Sequence, residues 1–166
     1  MINMKHLLLI RHAKSNWDNA NLDDFERPLS ETGIRDAKIM EKFLTESNLK
    51  PNLILCSSAR RAQQTYDIIF GADKLESTMY LNDLYQSGDS ELLDTIKSAD
   101  EKVKNLVIIG HNPSLQNTLE LLTGEKFKDF HTSAIACLQI NLEWEKVATN
   151  KTKLIYFKKT KDFSSC

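Results

Sequence analysis

Short apolar runs alternate with longer amphipathic segments along most of this chain of 166 residues. Three continuous apolar runs occur at residues 7–10 (LLLI), 53–56 (LILC) and 106–110 (LVIIG). Runs of this length without polar interruption are typical of strands buried on both faces of a sheet. An edge strand is predicted near residues 79–81, and two further strands at 135–142 and 153–158 lie on either side of a polar turn near Asn150.

The segments between these runs have a helical period. Ser30 is a candidate N-cap, and the helix that follows is predicted to end near Asn48 and Pro51. Its predicted inward face consists of Ile34, Ala37, Met40 and Leu44. A second helix is expected to be capped by Ser57 or Ser58 and to end before Gly71.

Two more helices are predicted in the second half of the chain. A short one follows Ser90. In the other, Asn112 is expected to be the cap and Pro113 to take the first helical position. Its apolar stripe is Leu115, Leu119 and Leu122.

Alternating strands and helices indicate an α/β fold with a mostly parallel central sheet, in three α/β/α layers. We expect residues 1–166 to form a single domain, because this length matches one ordinary hydrophobic core. No repeat, low-complexity stretch or interdomain linker interrupts the pattern.

Composition excludes several classes of partner. There are 22 Lys and Arg residues against 23 Asp and Glu residues, a formal net charge of -1, so nucleic acid and anionic membranes are not expected partners. The apolar runs are too short for a membrane helix. The three cysteines are far apart and form no CxxC pair, which favours a cytoplasmic protein without a disulfide framework or zinc site.

Polar residues follow each of the three best strands. Arg11 and His12 follow the first, the segment 57–61 follows the second, and His111 follows the third. Each alone is more often a solvated loop or helix-start residue than a catalytic one. Parallel sheets, however, bind ligands beyond the carboxyl ends of their strands, so these side chains are expected to converge at one edge.

Arg60 and Arg61 are expected to point in opposite directions. Arg61 shares a helical stripe with Thr65 and Ile68, whereas Arg60 shares one with polar residues. A buried guanidinium needs an anionic partner, and no carboxylate near Arg61 in the sequence offers one. An inward arginine beside a helix N-terminus and a second arginine at a strand end therefore predict a phosphate pocket.

These segments resemble the motifs of the histidine phosphatase superfamily. LLLIRHAKS resembles its RHG or RHA signature, RRAQQT its second motif, and GHNPSL its third. HTSAIA and RPLSETG resemble the SixA-type phosphohistidine phosphatase branch in particular. The resemblance implies the phosphoglycerate mutase-like fold of that superfamily.

The resemblance also implies roles for individual residues. His12 would be the nucleophile and would carry the phosphoryl group, while Arg11, Arg61 and His111 would hold the phosphate oxygens. Two neighbouring guanidinium groups disfavour protonation of His12, as a nucleophile requires. Neither a metal nor another cofactor is expected.

Other candidate roles stay open at this point. Asp83 is either the proton donor that larger relatives carry in a loop or an ordinary turn residue, and Ser57 either contacts phosphate or only caps a helix. Trp17 either flanks the pocket or covers a sheet edge, and the second position is favoured. The acidic residues of the loop before the first helix are expected to be solvated: Asp18, Asp23, Asp24 and Glu26.

The resulting hypothesis is a metal-independent phosphatase with a covalent phosphohistidine intermediate, acting on phosphohistidine of a protein partner. One alternative is a phosphatase of small phosphorylated molecules. Another is a non-catalytic phosphate-binding module, although binding alone would need neither His12 nor His111.

Overall fold

The protein forms one six-stranded sheet with helices on both faces, as seen in a computed structural model that describes residues 4–71 and 77–163. Its strands are β1 (Lys5–Arg11), β2 (Leu53–Ser57), β3 (Thr78–Leu81), β4 (Asn105–Gly110), β5 (Ile135–Ile140) and β6 (Lys153–Lys158). Their order across the sheet is β3-β2-β4-β1-β5-β6. The first four in this order are parallel, β5 is antiparallel to β1, and β6 is antiparallel to β5.

Among the described residues, four α-helices complete the three predicted layers. They are α1 (Glu31–Glu46), α2 (Arg60–Phe70), α3 (Asp89–Lys97) and α4 (Ser114–Thr123). Helices α1 and α2 pack on one face of the sheet, and α3 and α4 pack on the other. Leu7 and Leu9 of β1 point into one core while Leu8 and Ile10 point into the other, which is why residues 7–10 of this strand are all apolar.

The start of α1 differs from the prediction in one respect. Ser30 is the N-cap and accepts the backbone N–H of Gly33, as expected. Ile34 is 38% exposed, so its predicted place on the inward face is wrong. The buried residue there is Gly33, where an added Cβ would lie 2.1 Å from the carbonyl oxygen of Lys14. This close approach brings α1 against the loop that follows β1.

Two predicted helix caps are also wrong. Helix α2 has Ala59 as its N-cap, because strand β2 extends through Ser57. Helix α4 begins at Ser114, with Pro113 as the N-cap residue instead of the first helical residue. Both differences lengthen the connection at the carboxyl end of a strand. Within the described ranges, no helix has the length and apolar character needed to span a membrane.

Candidate active site

The carboxyl ends of β1, β4 and β2 lie side by side in the sheet. Arg11 pairs with Gly110 in the last register position of β1 and β4, and the backbone N–H of His12 donates to the carbonyl of Gly110. His111 follows Gly110 directly. The parallel register therefore brings residues about 100 positions apart in sequence to one edge, as the strand pattern predicted.

Arg61 joins the two histidines. Its Nε donates to Nε2 of His12 at 3.3 Å, and its Nη2 lies 3.5 Å from Nδ1 of His111. The two imidazole rings are 4.8 Å apart between centroids. All three side chains are buried, each with 7% exposure, whereas Arg60 is exposed. The opposite orientations predicted for the two arginines are thus confirmed.

The hydrogen bonds of His12 define its tautomer. Nδ1 lies 2.7 Å from the carbonyl oxygen of Ala13, an acceptor, so Nδ1 carries the proton. Nε2 therefore keeps its lone pair. Burial, the neighbouring His111 and the positive charges of Arg61 and Arg11 lower the pKa of His12 to about 3. The imidazole is neutral at physiological pH, and its Nε2 lone pair, which accepts the long hydrogen bond from Arg61, lies at the cleft.

His111 is positioned by a hydrogen bond with Ser57. Its Nε2 lies 2.7 Å from Oγ of Ser57, a hydroxyl that also accepts the backbone N–H of Ala59. Burial and the charge of Arg61 lower the pKa of His111 to about 4. Ser57 is fully buried and is not among the residues that line the cleft, and its hydroxyl contacts His111. Its contact with phosphate stays a prediction.

Arg11 presents an unused donor. Its Nη1 donates to the carbonyl of Phe130 at 2.9 Å. Its Nε is buried and has no hydrogen-bond partner among the described residues. A buried donor without a partner is costly, and an anion in the cleft would satisfy it.

Asp24 is a central group of the site, although the sequence pattern indicated a solvated residue. One carboxylate oxygen lies 3.0 Å from Nη2 of Arg61 and accepts the hydroxyl of Tyr85 at 2.6 Å. The other accepts from Arg27 at 2.8 Å. The Tyr85 hydroxyl and the two arginines lower the pKa of Asp24 to about 2. Arg61 therefore does have a carboxylate partner, contributed by a loop 37 residues earlier in the sequence.

Trp17 lies at the mouth of the site and flanks the pocket, so the favoured position over a sheet edge is wrong and the alternative is correct. Its ring covers the guanidinium of Arg27, with Cζ 2.9 Å from the ring centroid, and 74% of the residue is exposed. Arg27 itself is buried.

Together these groups form an open cleft of about 380 Å³. It is lined by Arg11, His12, Lys14, Ser15, Trp17, Asp24, Arg27, Arg61, Tyr85, Gln86, His111, Asn112 and Thr132. In the part of the chain that the structure describes, no group of three or more His, Cys, Asp or Glu side chains is arranged to hold a metal ion. Positive charge in the cleft comes from its arginines and from Lys14.

Comparison with known proteins agrees with this geometry. Residues 7–139 match the family model described as histidine phosphatase superfamily (branch 1). The chain belongs to the histidine phosphatase superfamily. It is 29% identical over 139 residues to the phosphohistidine phosphatase SixA of Escherichia coli, covering 81% of this chain and 85% of that protein.

Two other proteins are similar over more of their length. An uncharacterized protein of Mycobacterium tuberculosis is 28% identical over 158 residues, which cover 89% of this chain and 98% of that protein. The crystal structure of a SixA-type protein from Agrobacterium tumefaciens superposes with a TM-score of 0.81 at 29% identity, covering 93% of this chain and 97% of that one.

Asp83 is not among the residues that line the cleft. It is exposed and lines a neighbouring surface depression together with Glu91 and Asp94, and Gln86 borders both this depression and the cleft. Leu84 is buried next to it in the same one-turn helix. The role of Asp83 as a proton donor stays a prediction.

The cleft residues that sequence reasoning missed are Asp24, Arg27 and Tyr85. Asp24 and Arg27 are three residues apart and form an ion pair, which was a detectable local signal. The position of Tyr85 depends on how the segment after β3 folds back, and nothing in its sequence neighbourhood indicates the contact with Asp24.

Proposed function

We propose that this protein is a phosphohistidine phosphatase that acts on a phosphorylated protein partner through a covalent intermediate on His12. The observation that carries this proposal is the state of His12, a neutral imidazole whose Nε2 lone pair faces a cleft lined by guanidinium groups. Neutrality makes the nitrogen nucleophilic, and the arginines attract the dianion that it attacks.

The first step transfers the phosphoryl group to His12. A bond forms between Nε2 and phosphorus while the bond from phosphorus to the substrate nitrogen breaks, and the electron pair of that bond stays on the departing ring. Arg11 and Arg61 bind the phosphoryl oxygens and stabilise the charge that develops on them. The unpaired Nε of Arg11 gains its missing acceptor at this point.

The second step is hydrolysis. Water forms a bond to phosphorus, the bond from phosphorus to Nε2 breaks, and its electron pair returns to the imidazole. The protons of the attacking water remain with the phosphate and the solvent. The hydrogen bond from Nδ1 to the Ala13 carbonyl keeps the ring of His12 in one orientation throughout both steps.

The leaving group is the feature on which the substrate proposal depends. Asp24 is the only carboxylate among the described residues that line the cleft, and with a pKa of about 2 it is ionised and unable to donate a proton. An alkoxide leaving group needs such a donor. A phosphohistidine ring that already carries a proton leaves as neutral imidazole without one. This favours phosphohistidine over phosphate esters of alcohols.

Chemical trapping tests the covalent step. During turnover of a phosphohistidine protein, rapid quenching should yield phosphate on His12, and His12→Ala should abolish hydrolysis while phosphate still binds. His6→Ala is the matched control, because His6 lies at the opposite end of the same strand. Full activity of His12→Ala would refute the assignment.

A substrate panel tests the choice of phosphohistidine. We expect faster turnover of a phosphohistidine protein than of sugar phosphates or nucleotides. Equal or faster turnover of those small esters would favour the alternative phosphatase activity. Phosphate binding without turnover of any compound would indicate a binding module.

A further inference from the structure

Trp17 is an exposed aromatic residue at the entrance to a cleft whose floor is built for phosphate. With 74% of its surface exposed, it is the most exposed of the large hydrophobic residues that the structure describes. One face of its indole lies on the guanidinium of Arg27. The opposite face is therefore open to solvent and to whatever occupies the cleft.

The support beneath the indole is rigid. Arg27 donates from Nε to the carbonyl of Asn16 at 3.1 Å, from Nη1 to Asp24 and from Nη2 to the hydroxyl of Ser15 at 2.6 Å. The base of this loop is closed by an antiparallel bridge between Ser15 and Leu29. Because the guanidinium is fixed on three sides, the ring that stacks on it has a defined position.

The chemistry of the cleft changes from floor to mouth. His12, Arg61 and His111 are buried and suited to the phosphoryl group, whereas Trp17 is exposed. The group attached to the phosphate must extend from the floor towards solvent, and so it passes the cleft mouth where Trp17 lies. A flat aromatic surface at that place favours a flat, partly apolar group.

We propose that Trp17 is a specificity-determining residue whose open indole face stacks on the imidazole ring of the phosphohistidine substrate. This inference rests on the proposed phosphatase function and adds the subsite for the leaving group. The imidazole is planar, and in its protonated form it gains a cation–π attraction from the indole face. A phosphoryl compound without a ring gains nothing from Trp17.

Two small substrates separate the contribution of the imidazole ring from that of the phosphoryl group. N-phosphoimidazole and phosphoramidate both contain a phosphorus–nitrogen bond, but only the first has an imidazole. We expect Trp17→Ala to lower kcat/KM for N-phosphoimidazole by about three- to tenfold, mainly through KM, because aromatic stacking contributes this much to binding. The constants for phosphoramidate should change little, and Trp17→Phe should retain most of the activity on N-phosphoimidazole.

Met79→Ala is the matched control, since Met79 is another exposed large hydrophobic residue, on edge strand β3 away from the cleft. An equal loss on both substrates would show that Trp17 only supports Arg27, and no loss on either would remove it from the subsite. Both results overturn this inference while leaving the phosphatase proposal intact. A wild-type protein inactive on both compounds and on a phosphohistidine protein would overturn the two proposals together.

Discussion

Replacing His12 with glutamine removes the proton-binding site of a buried imidazole while keeping a polar side chain of similar length. The folded-state pKa of His12 is about 3, below the ordinary value of 6.5. Between these two values the unfolded chain binds a proton at this position and the folded chain does not. The stability of the wild-type protein must therefore fall as the pH is lowered through 6.5 towards 3.

The size of this effect follows from the two pKa values. Lowering the pH from 7 to 5 protonates nearly all of the unfolded histidine and almost none of the folded one, which corresponds to about 2 kcal/mol of unfolding free energy. His12→Gln lacks this linkage. We therefore expect the stability of the wild type relative to His12→Gln to drop by about 2 kcal/mol over this interval, whatever the difference at pH 7.

Urea denaturation at both pH values, followed by circular dichroism, measures the two differences. Met79→Ala provides a control without a titratable group, and its difference from the wild type should be the same at pH 7 and pH 5. If the difference for His12→Gln also stayed constant, His12 would have an ordinary pKa. The argument that burial, His111 and the arginines keep it neutral would then fail.

Two further predictions concern contacts near the cleft, those of Asp24 and of Gly33. Asp24→Asn should tighten the binding of inorganic phosphate, because the carboxylate that competes with phosphate for Arg61 loses its charge; the inhibition constant of phosphate should fall by about threefold to tenfold. The same variant should be less stable than the wild type at neutral pH, because the depressed pKa of Asp24 stabilises the folded protein there. This difference in stability should vanish as the pH falls from about 4 through 2. Weaker phosphate binding by Asp24→Asn would show that the carboxylate matters more for positioning Arg61 than for repelling phosphate. Gly33→Ala should lower stability by about 1–3 kcal/mol in thermal denaturation, because its Cβ would overlap the carbonyl of Lys14. Gly71→Ala is the control and should be tolerated, since its Cβ would meet nothing closer than 3.9 Å. Equal loss of stability in the two variants would refute the packing argument.

The parts of the fold that the sequence predicts well are those governed by local periodicity. The continuous run in β1 indicates a strand between two layers, and the placement of polar residues directly after three such strands indicates where a ligand binds. The inward orientation of Arg61 follows from its helical stripe. These inferences need only the period of an element and the rule that parallel strands end at one edge.

The residues that local reasoning misplaced depend on tertiary contacts. Asp24 looks solvated in an acidic loop, yet the path of that loop across the start of α2 places its carboxylate on Arg61. Asp83 occupies a suitable position in sequence, but it lies outside the lining of the cleft, in a neighbouring depression that Gln86 also borders. Ile34 is displaced from the core because Gly33 allows α1 to approach the loop after β1.

The charge states of the cleft explain how one site both attacks and binds phosphate. Arg61 lies within 3.5 Å of both imidazoles, and burial together with its positive charge lowers the pKa of each, so both histidines are neutral in the free protein. An arriving dianion reverses this balance for His111, because negative charge beside it offsets the repulsion from Arg61 and raises its pKa. In the proposed mechanism, His12 is neutral until Nε2 attacks phosphorus, and the ring that then carries the phosphoryl group keeps its Nδ1 proton on the Ala13 carbonyl. Burial and the neighbouring charges thus keep His12 neutral before attack, while a protonated His111 would bind a phosphoryl oxygen once the substrate has arrived.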